Sequence, residues 1–134
     1  MASGTLTLSA QQRPPKFDPV RFEAELEQFI TTEAGLSPQE ASAFFPLYRE
    51  MQKKQRVIFD EMKRNRHVDI NDNAACRESI EMHDKMEIQI KELQQQYHSK
   101  FMKLLPATKV LSIIRAENNF HRQTFKRMAK PVHE

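Results

Sequence analysis

Five histidines, seven methionines and a single cysteine, Cys76, are the side chains of this chain best suited to soft-metal chemistry, since a soft-metal site can be built from Met, His and Cys. His83 has Met86 three residues on and Glu87 one helical turn on. His98 and Met102 share a face at four-residue spacing, and Cys76 and His83, seven apart, lie two turns along one side. The strong zinc patterns, paired C-x-x-C or H-E-x-x-H, are absent. Methionines at helical spacing more often fill cores. The expectation is therefore no specific metal site and no cofactor. His83, Met86, Glu87, His98 and Met102 are the residues that an adventitious metal response would use.

No nucleophile–base arrangement stands out either. There is no G-x-S-x-G, no P-loop and no Gly-rich phosphate cradle, so an enzyme is not expected. Glu117 is the oddest residue for chemistry: it falls between Ile113/Ile114 and Phe120 on an apolar helix side, where a lone carboxylate is costly. An ion pair with Arg115, Arg56 or Arg77 is the expected resolution.

A basic run carries more. Arg49, Lys53, Lys54, Arg56, Lys63, Arg64 and Arg66 crowd one segment, where Lys53, Arg56 and Arg64 can line one side among Tyr48, Phe59 and Met62. One reading is a solvated face. The other is an amphiphilic groove that draws in a flexible client by charge and holds it on apolar spots, with Arg49, Lys53, Arg56, Phe59 and Met62 as client-binding residues. Nucleic acid fits less well, because no recognised motif is present and an acidic first helix would repel it.

The elements that must position these residues are all helical. With 134 residues, two glycines and no tryptophan, and with many Glu, Gln, Lys, Arg, Met and Leu, the composition favours helix throughout. Charged residues at 29% against 39% hydrophobic imply one domain with a thin apolar face. No apolar run approaches transmembrane length, so membrane insertion is not expected. One cysteine permits no intrachain disulfide and leaves the redox compartment open.

Residues 1–17 read as a leader. Thr5-Leu6-Thr7-Leu8-Ser9-Ala10-Gln11 looks like the last part of a signal peptide with cleavage after Ala10, though a basic n-region and a full apolar core are missing; a disordered cytosolic leader is the alternative. Residues 18–130 form a single domain. Asp18-Pro19 starts a helix that runs to Ala34, with Phe22, Leu26, Phe29 and Ile30 on one face. Gly35 ends it. Ser37 caps the next helix and Glu40 completes a capping box, with Pro38 at the first helical position.

That second helix extends to about Arg66, roughly 43 Å, with Pro46 inside it as a bend or a break. His67–Asn73 turns the chain. A third helix spans about Ala74 to Leu105, its seam formed by His83, Met86, Ile90, Leu93, Tyr97, Phe101 and Leu104. A fourth runs from Pro106 to about Ala129, with Val110, Ile113, Ile114, Phe120, Phe125 and Met128 inward. The two long helices form an antiparallel hairpin with shorter helices beside it, and any leftover apolar face favours a dimer or a concave binding surface. Charge is polarised: residues 18–33 carry five acids against Arg21, whereas residues 106–130 carry six bases against Glu117. The acidic first helix is expected against a basic helix or another subunit; a basic surface for anionic or unfolded partners is the other reading.

The order helix, Gly-Leu-Ser-Pro-Gln-Glu, Ala-Ser-Ala-Phe-Phe-Pro-Leu-Tyr and a long basic helix resembles the Spy/CpxP-like periplasmic proteins, in particular their smaller heavy-metal-sensor relatives. Their L-T-x-x-Q motif is matched by Leu36, Ser37 and Glu40, where Ser for Thr and Glu for Gln preserve the capping box. Leu105-Pro106-Ala107-Thr108-Lys109 stands at the second copy and keeps its leucine and helix start. The resemblance implies a cradle-shaped homodimer in the periplasm. It implies an ATP-independent chaperone or envelope-stress adaptor that binds unfolded or partner proteins. A metal-responsive periplasmic sensor and a purely structural helical interaction module are the alternatives.

Overall fold

A computed structural model describes residues 17–129; the expected leader lies outside the described residues except for Phe17. Four helices follow one another: α1 (Pro19–Ala34), α2 (Pro38–Arg64), α3 (Asn73–Leu104) and α4 (Ala107–Ala129). Among the described residues there is no strand.

The helix boundaries follow from local chemistry. The Asp18 carboxylate accepts from the amides of Val20 and Arg21 at 3.1 and 3.4 Å, ahead of Pro19. Gly35 takes the left-handed conformation (φ 65°), and the amides of Gly35 and Leu36 close back onto Thr32 and Thr31. The Ser37 hydroxyl then accepts from the Glu40 amide at 3.1 Å while the Glu40 carboxylate accepts from the Ser37 amide at 2.9 Å. The expected capping box is complete. Asn65 ends α2 and Asp72 caps α3 through the Ala75 amide. α2 passes through Pro46 without a break. Pro46 and Ser42 are both exposed, so solvent can serve the carbonyl that the proline leaves without its helical donor.

The helices pack as two antiparallel pairs, α2 with α3 and α1 with α4, with a smaller contact between α3 and α4. All four meet at one end in a single core. Phe44 lies at its centre, with ring centroids 5.0 Å from Phe45, 5.3 Å from Tyr48 and 4.8 Å from Phe101. Leu26, Ile30, Val110, Ile113 and Phe120 close it from the α1–α4 side, where Phe120 stands 5.4 Å from both Phe22 and Phe29. The acidic α1 thus lies against the basic α4, as expected of the polarised charge. Leu36 and Leu105, the leucines of the two helix starts, are both buried in this core.

Four seam expectations need correction. Phe125 and Met128 are 73% and 77% exposed and do not face inward. The buried series Val110, Ile113, Ala116, Phe120 steps by three or four and next reaches half-buried Thr124, so Phe125 falls off the stripe. On α3 the seam is buried at Met86, Ile90, Tyr97 and Phe101, while His83 and Leu104 at its ends are exposed.

The two helix starts are tied to each other. Lys109 at the second one donates to the Gly35 carbonyl at 2.6 Å and to the Glu40 carboxylate at 2.7 Å. Lys109 first, then the Ser37 amide, holds the Glu40 carboxyl below its ordinary 4.5. A carboxylate with a lowered folded-state pKa stabilises the fold above its unfolded value, and that contribution vanishes as pH falls through the lowered one. The melting temperature of the native chain should therefore fall more steeply between about pH 5 and 3 than that of Lys109→Met. Thermal melts across that range check this.

Candidate functional site

Beyond the shared core, the α2–α3 hairpin continues as a two-helix arm. The core ends near Met51 on α2 and Tyr97 on α3; Ile90, Met86 and the half-buried Ile58 and Met62 carry the arm alone. One apolar stripe on each helix cannot cover both flanks of such an arm. Val57, Phe59, Ile80 and Ile88 remain exposed along it.

Where the arm leaves the α1–α4 pair, a cleft of about 570 Å³ opens, lined by residues of all four helices. Phe22 and Leu26 of α1 and Phe59 of α2 supply its apolar surface, Arg56 and Lys63 of α2 its cations, and Glu23, Asp60 and Glu117 its carboxylates. Gln55, Gln94 and Glu117 form its partly buried polar floor, tied into the side-chain network beneath and beside it. The Tyr48 hydroxyl donates to Glu117 at 2.5 Å, and Gln94 donates to Gln55, a buried polar side chain, at 2.6 Å. The Tyr97 hydroxyl donates to Glu50, which holds that carboxyl low. Lys54 and Lys100 stand over the Tyr97 ring at 5.2 and 4.5 Å.

Glu117 therefore has a tyrosine for its partner and not an arginine, which corrects the expected ion pair. Burial, then the nearby Glu117 charge, pushes the Tyr48 phenol well up, so it stays a hydrogen-bond donor. Tyr48→Phe should destabilise the chain by about 1–3 kcal/mol because it leaves a half-buried carboxylate without its donor. Urea denaturation measures the loss.

The residues expected to bind a client divide three ways. Arg56 and Phe59, the latter 44% exposed, reach the cleft. Arg56 also bonds Glu23 at 2.8 Å, and Arg49 holds Glu27 through two bonds of 2.7 and 2.6 Å, so both arginines link α2 to α1. Exposed surface pairs of this kind are each worth at most about 1 kcal/mol, which leaves Arg56 available to an incoming carboxylate. Lys53 is exposed and forms no ion pair among the described residues. Met62 belongs elsewhere: it faces α3 and lines a small cavity near the hairpin turn with Met82, His83 and Met86.

The other metal candidates stay apart. His98, pushed down by burial, and Met102 border a shallow groove along α3, with Glu87 at its far end. Glu87 instead stands 3.8 Å from His83. Among the described residues no three His, Cys, Asp or Glu side chains gather to hold a metal ion. Cys76 is free, its thiol directed to the carbonyls of Asp69 and Ile70 at 3.5 and 3.6 Å.

No described helix is long and apolar enough to cross a membrane. Comparisons of the chain with protein-family models, with curated proteins and with solved structures give no match.

Proposed function

We propose that this chain is a periplasmic, ATP-independent holding protein, a chaperone or envelope-stress adaptor of the Spy/CpxP-like kind. The observation that carries the reading is the projecting arm, where Phe59, Arg56 and Lys63 line the cleft at its base and Val57, Ile80 and Ile88 leave further apolar surface exposed along it. Each apolar client side chain buried there is worth about 1.5–3 kcal/mol. The cations speed encounter with acidic or partly unfolded chains. Repeated capture and release fits such scattered anchors better than one tight pocket does, and no step in it consumes nucleotide.

The reading includes a homodimer. A second groove, about 1000 Å³, runs along the outside of the α1–α4 pair over Phe29 and Phe120, with Glu25 and Glu33 on its α1 side and Lys126 and Arg127 on its α4 side. A two-fold axis parallel to that groove sets the acidic side of each copy against the basic side of the other.

The test is suppression of aggregation of a thermally unfolding client at several-fold excess of this protein, without nucleotide. Undiminished aggregation sinks the proposal. A metal-responsive sensor is the second reading, favoured by the methionine-lined cavity. A helical module with one fixed partner is the third; a single stable complex that leaves unfolded clients untouched would favour it.

A further inference from the structure

Near its turn, the α2–α3 arm is held together by methionines. Met62 comes from the last turn of α2, and Met82 and Met86 from one face of α3, with His83 between them in sequence. Three of the chain's seven methionines thus border one space. If they served only to fill the seam, these flexible side chains would close it. A cavity of about 90 Å³ remains between them instead, larger than the roughly 30 Å³ that a water molecule occupies in the liquid.

We infer that this cavity binds a soft monovalent cation, Cu(I) or Ag(I), through the thioethers of Met62, Met82 and Met86 and the imidazole of His83. Thioethers are soft, uncharged ligands that select such ions over zinc or hard cations. Four neutral donors around a single positive charge impose no excess charge on a partly buried site. The Glu87 carboxylate stands 3.8 Å from Nε2 of His83. From there, with a small side-chain adjustment, it can accept a hydrogen bond from Nε2–H and so orient the ring with Nδ1 as the metal ligand. Met62 lies at the carbonyl end of α2, where the helix carries partial negative charge that attracts a cation. Arg66 lines the same cavity. Its guanidinium repels a divalent ion twice as strongly as a monovalent one, so it adds to the discrimination. Cys76 takes no part: its thiol is turned to the Asp69 and Ile70 carbonyls and does not line the cavity.

The experiment uses the full chain carrying Cys76→Ser, because a free thiol would itself take up silver. Ag(I) nitrate is titrated in chloride-free buffer and followed by calorimetry and by the methyl resonances of the methionines. One Ag(I) should bind per chain, shifting the Met62, Met82 and Met86 methyls but not that of Met51 in the main core. The melting temperature should rise by several degrees as bound ion stabilises the fold. Zn(II) at the same concentration should do neither. Met82→Leu with Met86→Leu conserves volume, and removing these two ligands should weaken silver binding by about tenfold or more. Absence of binding in the Cys76→Ser chain, or shifts at other methionines, overturns the inference; so does unchanged affinity in the double variant. The methyl shifts decide the matter even if that variant fails to fold. Client holding is scored separately by aggregation, so either idea can fail without the other.

Discussion

Phe44→Ala should cost about 3–5 kcal/mol, the largest loss expected of any single truncation in this chain. The side chain is wholly buried, and its ring touches Phe45, Tyr48 and Phe101, so α2 and α3 are both anchored on it. The rigid aromatic neighbours cannot collapse into the space left behind, which places the cost toward the upper part of that range. For a chain of this length the melting temperature should drop by about 10–20 °C, and total stability of 5–15 kcal/mol is typical of such domains. Ile80→Ala, on the exposed flank of the arm, should stay within about 0.5 kcal/mol. Urea and thermal denaturation of the two variants give the comparison. Equal losses would mean that Phe44 does not anchor the core as its burial implies. The expected inequality follows from burial alone; earlier opening of the arm is read separately, as amide exchange that should be faster at Ile58 and Ile90 than at Phe44 and Phe101.

Helix punctuation was legible in the sequence because it is local. Asp18, Gly35 and Ser37 with Glu40 each act on amides or carbonyls within four residues, and each does in the structure what its type and spacing dictate. Phe125 shows the limit of the same reasoning. Its apolar type and near-helical spacing point to the core, but only the true stripe, one helix turn after Phe120, decides which side faces α1, and that position is Thr124. The polar floor of the cleft was hidden for another reason. Tyr48 and Glu117 are 69 positions apart, and Gln55 and Gln94 are 39 apart. No spacing rule links them. A signal for their existence was available, since a tyrosine and a glutamine on an apolar helix face must each find a partner when buried. Gln55 occupies a seam position between Met51 and Ile58, where a polar residue sets the register of the two helices at some cost in stability.

The client face was legible only in part, and its correction bears on mechanism. Arg49, Lys53, Arg56, Phe59 and Met62 look continuous along the sequence, yet Met62 turns toward α3, and Arg49 is occupied by Glu27. What remains open is the side of α2 that bears Lys53, Arg56, Phe59 and Lys63. Val57, Ile80 and Ile88 add exposed apolar side chains elsewhere along the arm. This leaves charge and apolar anchors adjacent but distinct, a division that lets electrostatic encounter precede apolar capture.

Lys53→Glu combined with Phe59→Ser should therefore raise the concentration needed for half-suppression of client aggregation by about tenfold, since one apolar anchor alone is worth roughly 1.5–3 kcal/mol. Neither change touches the core or a native ion pair, because both side chains are exposed and Lys53 pairs with no carboxylate among the described residues. The melting temperature should stay within a few degrees of the parent, which separates lost binding from lost folding. Raising salt should weaken the parent more than the double variant, because exposed charges farther apart than about 8 Å are screened at physiological ionic strength. Leu111→Ser provides the contrast: it removes an apolar side chain of similar exposure, at 48%, from the start of α4 and outside the cleft lining. If clients were held by any greasy surface, both variants would lose holding to the same degree. Loss confined to Lys53→Glu/Phe59→Ser puts capture on the arm, where the helices have no second layer to cover them.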